Sequence, residues 1–409
     1  MADFYQTGTI TTLHRLGQPN LGLLEQELAE HAVDNPIALV LPCLYSELEG
    51  PALHGIMEHL KQVAYLKEIV VALGTASALE FRRAKDYFKV LPQEVRLVWI
   101  DGPRIQVIMK LLTSQEIDIG LPGKGQACWI AFGYVLARGQ SKIIVLHDCD
   151  ILSYNREYLA RLCYPIANPN LSYEFCKGYY ARVTDRLHGR MTRLFFTPLL
   201  RSLERLVGCH PLLTFLDSFR YPLAGEFAMV TDLAWTNRIP GDRGLEVGVL
   251  AEVYRNCALR RVCQTDLTDS YEHKHQALSA DDPNTGLHKM SVDIAKSVFR
   301  NLASEGVVLS ESLLKTLRAT YLQIAQEAIR KYEDDAAINS LKFDRHQERT
   351  AVEAFLKGIS LATEVFLKDP LGIPMISNWS RVAAAVPDIF DRLTAAVEAD
   401  HEWNPKGEQ

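Results

Sequence analysis

Short apolar runs alternate with helix-like stretches along the first part of the chain. Residues 37–42 form an apolar run that ends at a proline, and a helical pattern follows over residues 53–63. The same succession recurs with an apolar run at 69–73, a helical pattern at 79–88 and a third apolar run at 95–100. Strands that alternate with helices predict a parallel sheet, whose ligand site lies at the carboxyl ends of the strands.

The same pattern continues into two segments that carry polar motifs. A helical pattern over residues 126–137 follows Gly123-Lys124-Gly125, and an apolar run at 143–146 leads into Asp148-Cys149-Asp150. We therefore predict that the second motif lies at the sheet edge where ligands bind, because it follows a buried strand directly.

The last part of the chain has a purely helical pattern. From about Asp293, apolar residues recur at helical spacing through two long stretches. The chain is therefore predicted to hold an α/β domain over residues 1–290 and a helical extension over residues 291–409. The extension shows no nucleophile or metal signature, which favours a packing or dimerisation element over a second catalytic domain.

Composition and charge limit the classes of partner. The 409 residues are 48% hydrophobic, which suffices for a large buried core. A net charge of −6 argues against nucleic acid or an anionic membrane as a partner. Residues 1–15 form no apolar signal segment, no later stretch resembles a membrane span, and eight cysteines are scattered without metal-ligand spacing. We therefore expect a cytoplasmic protein with reduced thiols and small-molecule partners.

Asp148 and Asp150 give the strongest chemical signal, because they follow a run of buried-strand character. Two carboxylates there could hold Mg²⁺ or Mn²⁺ on a diphosphate, since these ions prefer oxygen ligands and leave positions for phosphate and water. The ion would act as a Lewis acid on a departing phosphate. Asp-x-Asp alone is more often a solvated turn or a helix cap, so the preceding strand is what favours a metal site.

Three further segments carry candidate ligands. The glycines around Lys124 allow close backbone approach at a helix start, although the segment lacks the full P-loop pattern and an ordinary turn explains it equally well. Gly189, Arg190 and Thr192 precede a helical pattern and suit a phosphate monoester, but alone they more often mean a capped helix with a surface arginine. His273 could complete a metal sphere, although a lone histidine is more often structural or exposed.

The order of the motifs is more specific than any one motif. Between residues 35 and 290 the chain carries, in succession, Leu41-Pro42, Gly-Lys-Gly, Asp-x-Asp, Gly-Arg-x-Thr, Pro-Leu-x-Gly-Glu, Gly-x-Glu-x-Gly and Glu-His. This ordered set resembles the glucosyl-3-phosphoglycerate synthases, which are retaining glycosyltransferases of the GT-A fold. The resemblance implies a Rossmann-like α/β nucleotide-diphospho-sugar transferase domain with a mostly parallel central sheet, followed by a helical extension, in a homodimer.

The resemblance also implies a role for each motif residue. The donor-binding residues would be Pro42, Leu44, Glu47, Lys124 and Asp148. The metal ligands would be Asp150 and His273, and the acceptor would be bound by Gly189, Arg190, Thr192 and His275. The catalytic residues would be Leu223, through its main-chain carbonyl, Glu246, through hydrogen bonds to the sugar, and Lys124. Judged alone, Glu226 and Glu246 are more often solvated or capping residues, and only the shared order favours a functional role.

The chain departs from the family pattern at three places. Residues 71–76 read Val-Ala-Leu-Gly-Thr-Ala where the family commonly has an acidic Asp-Ser-Gly segment that helps to hold the nucleoside. UDP-glucose and GDP-glucose therefore both remain open as donors. His275 replaces a commonly amide residue, and Ala224 replaces a frequent glycine, so mannose as the sugar or glycerate as the acceptor remains an alternative.

The implied reaction is retaining transfer of glucose from a nucleoside diphosphate glucose to 3-phosphoglycerate, a step toward a compatible solute. No carboxylate is evidently placed as a covalent nucleophile, which favours same-face attack assisted by the departing diphosphate. A sugar-phosphate nucleotidyltransferase is a rival, but residues 41–46 are not its glycine-rich, arginine-containing loop. A silent nucleotide-sugar-binding scaffold is a second rival, and the intact candidate metal residues argue against it.

Overall fold

One eight-stranded sheet organises the part of the chain that the structure describes. The structure is a computed structural model, and it describes residues 6, 8–17, 20–240, 244–269, 271–272 and 286–403. The strands are β1 (Thr11–Leu13), β2 (Ile37–Leu44), β3 (Leu66–Gly74), β4 (Glu94–Trp99), β5 (Ile143–Leu146), β6 (Phe175–Tyr180), β7 (Phe227–Val230) and β8 (Val262–Thr268). Their order across the sheet is β1-β8-β6-β7-β5-β2-β3-β4. Strand β7 runs antiparallel to β5 and β6, and every other pairing is parallel.

Helices cover both faces of this sheet. Those of the α/β part are α1 (Leu21–Asp34), α2 (Pro51–Leu60), α3 (Ala78–Phe88), α4 (Pro103–Ser114), α5 (Lys124–Arg138), α6 (Arg156–Ala167), α7 (Thr197–Val207), α8 (Pro211–Asp217), α9 (Thr231–Thr236) and α10 (Leu245–Asn256). Those after β8 are α11 (Gly286–Ser304), α12 (Glu311–Ile338), α13 (Arg345–Lys368), α14 (Trp379–Ala385) and α15 (Ile389–Glu402). A π-helical turn, Met191–Phe196, leads into α7, and short 3₁₀ turns form at Tyr45–Glu49 and Leu259–Arg261.

The predicted α/β class with a mostly parallel sheet is confirmed. The apolar runs at 37–42, 69–73, 95–100 and 143–146 become β2, β3, β4 and β5, and these strands read as near-continuous apolar runs because both faces of the sheet are covered. Strands β1, β6 and β7 and helix α1 were not among the predicted elements. Strands β1 and β7 have only three and four residues, and β6 contains a lysine and a glycine, so none of them gives a clear apolar period.

Alternate residues of the strands face two separate hydrophobic cores. In β3, Val70 and Ala72 belong to one core, and Ile69 and Val71 belong to the other. Buried residues of the helical extension, such as Phe355, join the same core as Val70. The extension therefore packs on one face of the eight-stranded sheet and shares its core.

The extension is fitted closely to helix α5. The ring of Trp379 in α14 stacks on Trp129 of α5 with centroids 4.5 Å apart, and its Nε1 donates to the Trp129 carbonyl at 3.1 Å. The Trp379 ring occupies the space that a Cβ on Gly133 would need, so this glycine permits the close approach. The boundary at residue 290 stays a prediction, and that position lies within α11.

Helices α12 and α13 of the extension reach the region around residue 190. Helix α12 packs against α7 and α13, and both helices contact the π-helical turn that precedes α7. Among the described residues, no helix is both long enough and apolar enough to cross a membrane.

Candidate active site

Three charged side chains from distant parts of the chain meet at the carboxyl edge of the sheet. Lys124 is the first residue of α5, Asp148 follows β5, and Glu246 lies in the first turn of α10. The Lys124 Nζ lies 2.6 Å from Asp148 Oδ1 and 3.3 Å from Glu246 Oε1. The structure therefore brings together three of the predicted site residues as one group, which we call the strand-end cluster.

The two carboxylates of the strand-end cluster stabilise the positive charge of Lys124. Burial alone would lower the pKa of Lys124, but the adjacent carboxylates of Asp148 and Glu246 raise it well above its ordinary value. The side chain is one-third exposed and stays a cation at neutral pH. The site thus presents a fixed positive charge beside two carboxylates, an arrangement suited to a sugar that carries a diphosphate.

The loop before β7 closes tightly on this cluster. A Cβ on Gly225 would lie 2.5 Å from Asp148 Oδ2, so a larger residue would displace the Asp148 carboxylate. Leu223, whose carbonyl is predicted to face the sugar, is 9% exposed in the same loop. The Pro-Leu-x-Gly-Glu motif therefore needs a glycine at this position, because its backbone lies against the Asp148 carboxylate and leaves no room for a side chain.

Asp150 is a buried carboxyl group among other acids. Burial, together with the nearby carboxylates of Asp148, Glu47 and Glu226, raises its pKa to about 7, although the charge of Lys124 opposes the shift. Accumulated negative charge on hard oxygen donors fits a divalent cation such as Mg²⁺ or Mn²⁺. Among the described residues, which omit 273–285, no group of three histidine, cysteine, aspartate or glutamate side chains is arranged to hold one ion.

The segment that leads to His273 runs beside the Asp150 turn. The Leu152 amide donates to the Glu272 carbonyl at 2.8 Å, and the Glu272 amide donates to Ser153 Oγ at 3.0 Å. The predicted metal ligand His273 and the predicted acceptor residue His275 lie outside the described residues. The structure thus fixes the chain immediately before His273 close to Asp150, and the histidine's role stays a prediction.

Glu226 binds the segment that precedes His273 through Tyr271. Its carboxylate is fully buried and accepts hydrogen bonds from Tyr180 at 2.8 Å and from Tyr271 at 3.1 Å. Burial, and then the charge of Asp148, raise the pKa of Glu226. Two tyrosine hydroxyls hold this carboxylate in place. Its observed contacts therefore indicate a structural role, in which Glu226 supports residues 271–272.

Lys177 is a functional candidate that sequence reasoning missed. It lies in β6, is 1% exposed, and its Nζ donates to the carbonyl of Ala224, next to Leu223. Burial lowers the pKa of Lys177 to about 8, while Glu246 and Glu226 oppose that shift. A lysine in an otherwise apolar and aromatic strand, Phe175–Tyr180, is the signal that could have found it, because buried charges are rare without a partner.

The predicted donor residues lie at the end of β2 beside the segment that departs from the family pattern. Pro42 is half-buried, Leu44 is half-exposed, and Glu47 follows in the 3₁₀ turn. Leu44 pairs in register with Gly74 of β3. These residues therefore line one stretch of the same sheet edge, and their donor role stays a prediction.

The predicted acceptor loop surrounds a left-handed glycine. Gly189 has φ +73°, a conformation that favours glycine, and a Cβ there would lie 3.3 Å from the Tyr221 hydroxyl. The Thr192 hydroxyl is buried, and it has no hydrogen-bond partner among the described residues. Such a buried, unsatisfied hydroxyl fits a ligand oxygen.

Aromatic residues and Glu226 connect the acceptor loop to the strand-end cluster. Tyr180 and Tyr271 donate to Glu226, and the preceding Gly225 lies against Asp148. Tyr180 stacks on Tyr271 with ring centroids 3.7 Å apart and lies 5.1 Å from the Tyr221 ring. The Tyr221 hydroxyl accepts from Arg182 Nη1 at 3.1 Å beside Gly189. The two groups of predicted residues therefore belong to one continuous region.

The contact that holds Arg190 comes from the helical extension, and no local pattern along the chain indicated it. Arg190 Nε donates to Glu348 Oε1 at 2.6 Å, and its Nη2 donates to Gln347 Oε1 at 3.2 Å. Both partners lie in the first turn of α13. Arg190 is therefore more than a surface arginine at a helix start, because two side chains of the extension bind it.

Comparison with known proteins identifies close relatives over the full length. No protein-family profile matches the chain. The chain is 47% identical to glucosyl-3-phosphoglycerate synthase from Persephonella marina over 98% of this chain and 99% of the relative. It is 40% identical to the enzyme of the same name from Methanococcoides burtonii over 97% of this chain and 98% of the relative.

Solved structures agree with these relatives on the fold. The chain superposes on glucosyl-3-phosphoglycerate synthase from Mycobacterium tuberculosis, solved with Mn²⁺, UDP-glucose and phosphoglyceric acid, with a TM-score of 0.53. The match covers 74% of this chain and 90% of that structure at 21% identity, which establishes the fold alone. Because the chain is 47% and 40% identical to two relatives of the same name over nearly the full length of each, the chain belongs to the glucosyl-3-phosphoglycerate synthase family.

Proposed function

We propose that this chain transfers glucose from a nucleoside diphosphate glucose to 3-phosphoglycerate, with retention at the anomeric carbon, and so forms glucosyl-3-phosphoglycerate. The observation that carries the proposal is the Lys124–Asp148–Glu246 cluster. It lies at the carboxyl ends of the strands, where α/β sheets bind their ligands, in a chain that belongs to this family. We infer that UDP-glucose is the preferred donor, and GDP-glucose is the alternative that a direct comparison tests.

On the donor side, the residues at the ends of β2 and β5 surround the nucleotide sugar. Asp150 and His273 would hold a Mg²⁺ or Mn²⁺ ion, which would neutralise the charge of the diphosphate leaving group, and Asp148 would contact the donor. Lys124 adds its fixed positive charge to the same diphosphate. Pro42, Leu44 and Glu47 would line the nucleoside end of the site.

Around the reacting sugar, the chain mainly supplies position. Glu246 would accept hydrogen bonds from the sugar hydroxyls, and Lys124 holds this carboxylate at 3.3 Å. The Leu223 carbonyl would face the anomeric carbon, while the buried Lys177 fixes the neighbouring Ala224 carbonyl. The sequence places no carboxylate evidently as a covalent nucleophile, so we infer that the acceptor hydroxyl attacks on the face that the diphosphate leaves, and that its proton passes to a departing phosphate oxygen.

On the acceptor side, the Gly189 loop suits a phosphate monoester. The Thr192 hydroxyl is buried without a described partner, and Arg190 supplies a guanidinium at the same turn. His275 would complete this site. Glycerate lacks the phosphate group and would leave these donors unsatisfied, which favours 3-phosphoglycerate.

The test is a matrix of substrates with product mass detection. UDP-glucose, GDP-glucose and their mannose counterparts are each incubated with 3-phosphoglycerate or glycerate, and released nucleotide is quantified. We expect nucleoside diphosphate to be released much faster with 3-phosphoglycerate, as glucosyl-3-phosphoglycerate forms, than with glycerate, and an α-linked product by proton NMR. Release of pyrophosphate would indicate a nucleotidyltransferase, and absence of any product with every pair would favour the scaffold interpretation.

We further propose a cytoplasmic homodimer without nucleic-acid or membrane partners. The net charge of −6 offers no attraction to polyanions. Light scattering of the purified protein tests the dimer, and a monomer at micromolar concentration would contradict it.

A further inference from the structure

One buried carboxylate of the extension binds two arginines of the acceptor loop. The Glu348 side chain in α13 is 5% exposed, and its Oε1 accepts from Arg190 Nε at 2.6 Å. Its Oε2 accepts from Arg193 Nη2 at 3.1 Å. A carboxylate so deeply buried is costly unless paired, and here each oxygen has its own guanidinium partner.

The two arginines differ in how firmly they are held. Arg193 also donates to the carbonyls of His188 and Leu187 at 2.7 and 3.3 Å, and its guanidinium lies 4.7 Å from the centroid of the Tyr332 ring. Its side chain is 10% exposed, against 28% for Arg190. Arg193 thus stabilises the loop through several contacts, whereas the Arg190 side chain is more exposed.

Arg190 is held along one edge of its guanidinium. The bonds from Nε to Glu348 and from Nη2 to Gln347 use that edge. A guanidinium has five N–H donors in a rigid plane, so one Nη1 hydrogen and the second Nη2 hydrogen remain side by side on a second edge. That edge has the geometry of a fork for two phosphate oxygens.

A second contact ties the same loop to the extension. The Lys342 amide donates to the Asp185 carbonyl at 2.8 Å, and its Nζ lies 2.8 Å from Asp185 Oδ2. The loop on the N-terminal side of Gly189 is therefore fixed to the segment between α12 and α13, while Glu348 fixes the loop on its C-terminal side. The extension sets the position of the acceptor loop from both sides.

We propose that Glu348, assisted by Gln347, is a positioning residue that orients Arg190 for the acceptor phosphate, so that the helical extension completes the acceptor site. This inference rests on the proposed acceptor role of Arg190. With one edge fixed, Arg190 meets the phosphate in a single orientation and loses little side-chain freedom on binding. The extension thereby acts on acceptor binding, in addition to its packing against the sheet.

The central experiment compares Glu348→Gln with Glu398→Gln. Glu398 in α15 is the matched control, because it too is a carboxylate of the extension that bridges two arginines, Arg96 at 2.9 Å and Arg138 at 3.1 Å. Arg138 ends α5, whose other end carries Lys124, so this control lies a helix length from the site. Both changes keep the side-chain shape and remove the charge.

We expect Glu348→Gln to raise the KM for 3-phosphoglycerate about tenfold, with kcat and the KM for UDP-glucose changed less than about threefold. Glu398→Gln should lower the melting temperature without changing either KM. An unchanged KM for 3-phosphoglycerate in Glu348→Gln would overturn the proposal. A lowered KM would also overturn it, since it would mean that Glu348 competes with the phosphate for Arg190.

A second pair of variants keeps the test decisive if Glu348→Gln folds poorly. Gln347 is exposed, so Gln347→Ala should fold normally and raise the KM for 3-phosphoglycerate about threefold. In an Arg190→Ala background, either change should have no further effect on the preference for 3-phosphoglycerate over glycerate. A wild-type enzyme that ignores 3-phosphoglycerate contradicts the proposed function. A loss of preference in Arg190→Ala alone, with no effect of Gln347→Ala or Glu348→Gln, contradicts only the role of Glu348.

Discussion

The strand-end cluster and the acceptor loop neutralise their charges in different ways. In the cluster, Lys124 pairs with Asp148 and Glu246, and all three side chains come from elements of the α/β part. In the acceptor loop, Arg190 pairs with Glu348, which lies 158 positions later in the helical extension. Among the described residues, the proposed donor half thus takes its charge pairs from the sheet and its own helices. The proposed acceptor half takes them from a region outside these elements.

This difference predicts how the two regions respond to change. Substitutions in the strand-end cluster should affect use of the donor and the rate of transfer with every acceptor, because all acceptors meet the same activated sugar. Substitutions around Arg190 should discriminate between acceptors. The variants below test that separation.

The largest effect is expected when a proposed metal ligand is removed. Asp150→Ala and His273→Ala should each reduce transfer roughly a thousandfold, because the diphosphate charge is then poorly neutralised. Both 3-phosphoglycerate and glycerate should be affected alike. Turnover measured across a Mn²⁺ titration checks this, and a variant with the wild-type response to metal would remove that residue from the metal site.

Arg190→Ala should separate the acceptors. Loss of a charged hydrogen-bond partner in a partly desolvated site costs about 2 to 4 kcal/mol, so efficiency with 3-phosphoglycerate should fall roughly 30- to 1000-fold, and much less with glycerate. Arg186→Ala is the control, because Arg186 is an exposed arginine of the same loop that pairs with its neighbour Asp185. Equal decline with both acceptors in a folded Arg190→Ala protein would show that Arg190 does not select the phosphate.

Lys124→Ala should weaken use of the donor without unfolding the protein. The substitution removes the cation that lies between Asp148 and Glu246, and we expect kcat/KM for the nucleotide sugar to fall about 30-fold. Lys110→Ala, at an exposed position of α4, serves as the control. Donor affinity and rate at the wild-type level would show that the Gly-Lys-Gly segment is only an ordinary turn at a helix start.

The smallest effect concerns Lys177 and appears in stability against pH. Burial lowers its pKa to about 8 from 10.5 in the unfolded chain, so between these values the unfolded state binds the extra proton. The free energy of unfolding of the wild type should therefore rise with pH across this window, by about 1.4 kcal/mol per pH unit relative to Lys177→Met. Urea denaturation of both proteins between pH 7.5 and about 10 measures the difference.

Parallel stability curves for the wild type and Lys177→Met would show that Lys177 stays protonated in the folded protein. Since the lysine holds the Ala224 carbonyl, we also expect Lys177→Met to lower kcat several-fold with both acceptors. This places Lys177 with the strand-end cluster and separates it from the acceptor loop.

The helices and strands that could be predicted are those with a strong local period. Strands β2 to β5 followed from apolar runs, and α5 followed from the pattern after Gly123. Strand β6 was missed because Lys177 and Gly178 interrupt its apolar character, and β7 because four residues give no period. The antiparallel insertion of β7 between β5 and β6 is a property of the sheet order, which local patterns do not encode.

The sequence by itself determined the identity and order of the chemical groups. It placed Asp148 after a strand, Lys124 at a helix start and Gly189 before a helical turn, because each of these depends only on near neighbours along the chain. Residues 273–285, which include two predicted site histidines, lie outside the described structure, and their roles remain predictions.

Only the tertiary structure decided which charges meet. The pairing of Arg190 with Glu348, and the hydrogen bond from Lys177 to the Ala224 carbonyl, join positions that are 158 and 47 residues apart. In the sequence, Glu348 is one acidic residue at the start of an amphipathic helix, where acids are common and usually solvated. Burial of α13 against the turn before α7 is what removes water from that carboxylate and makes the two arginines its partners.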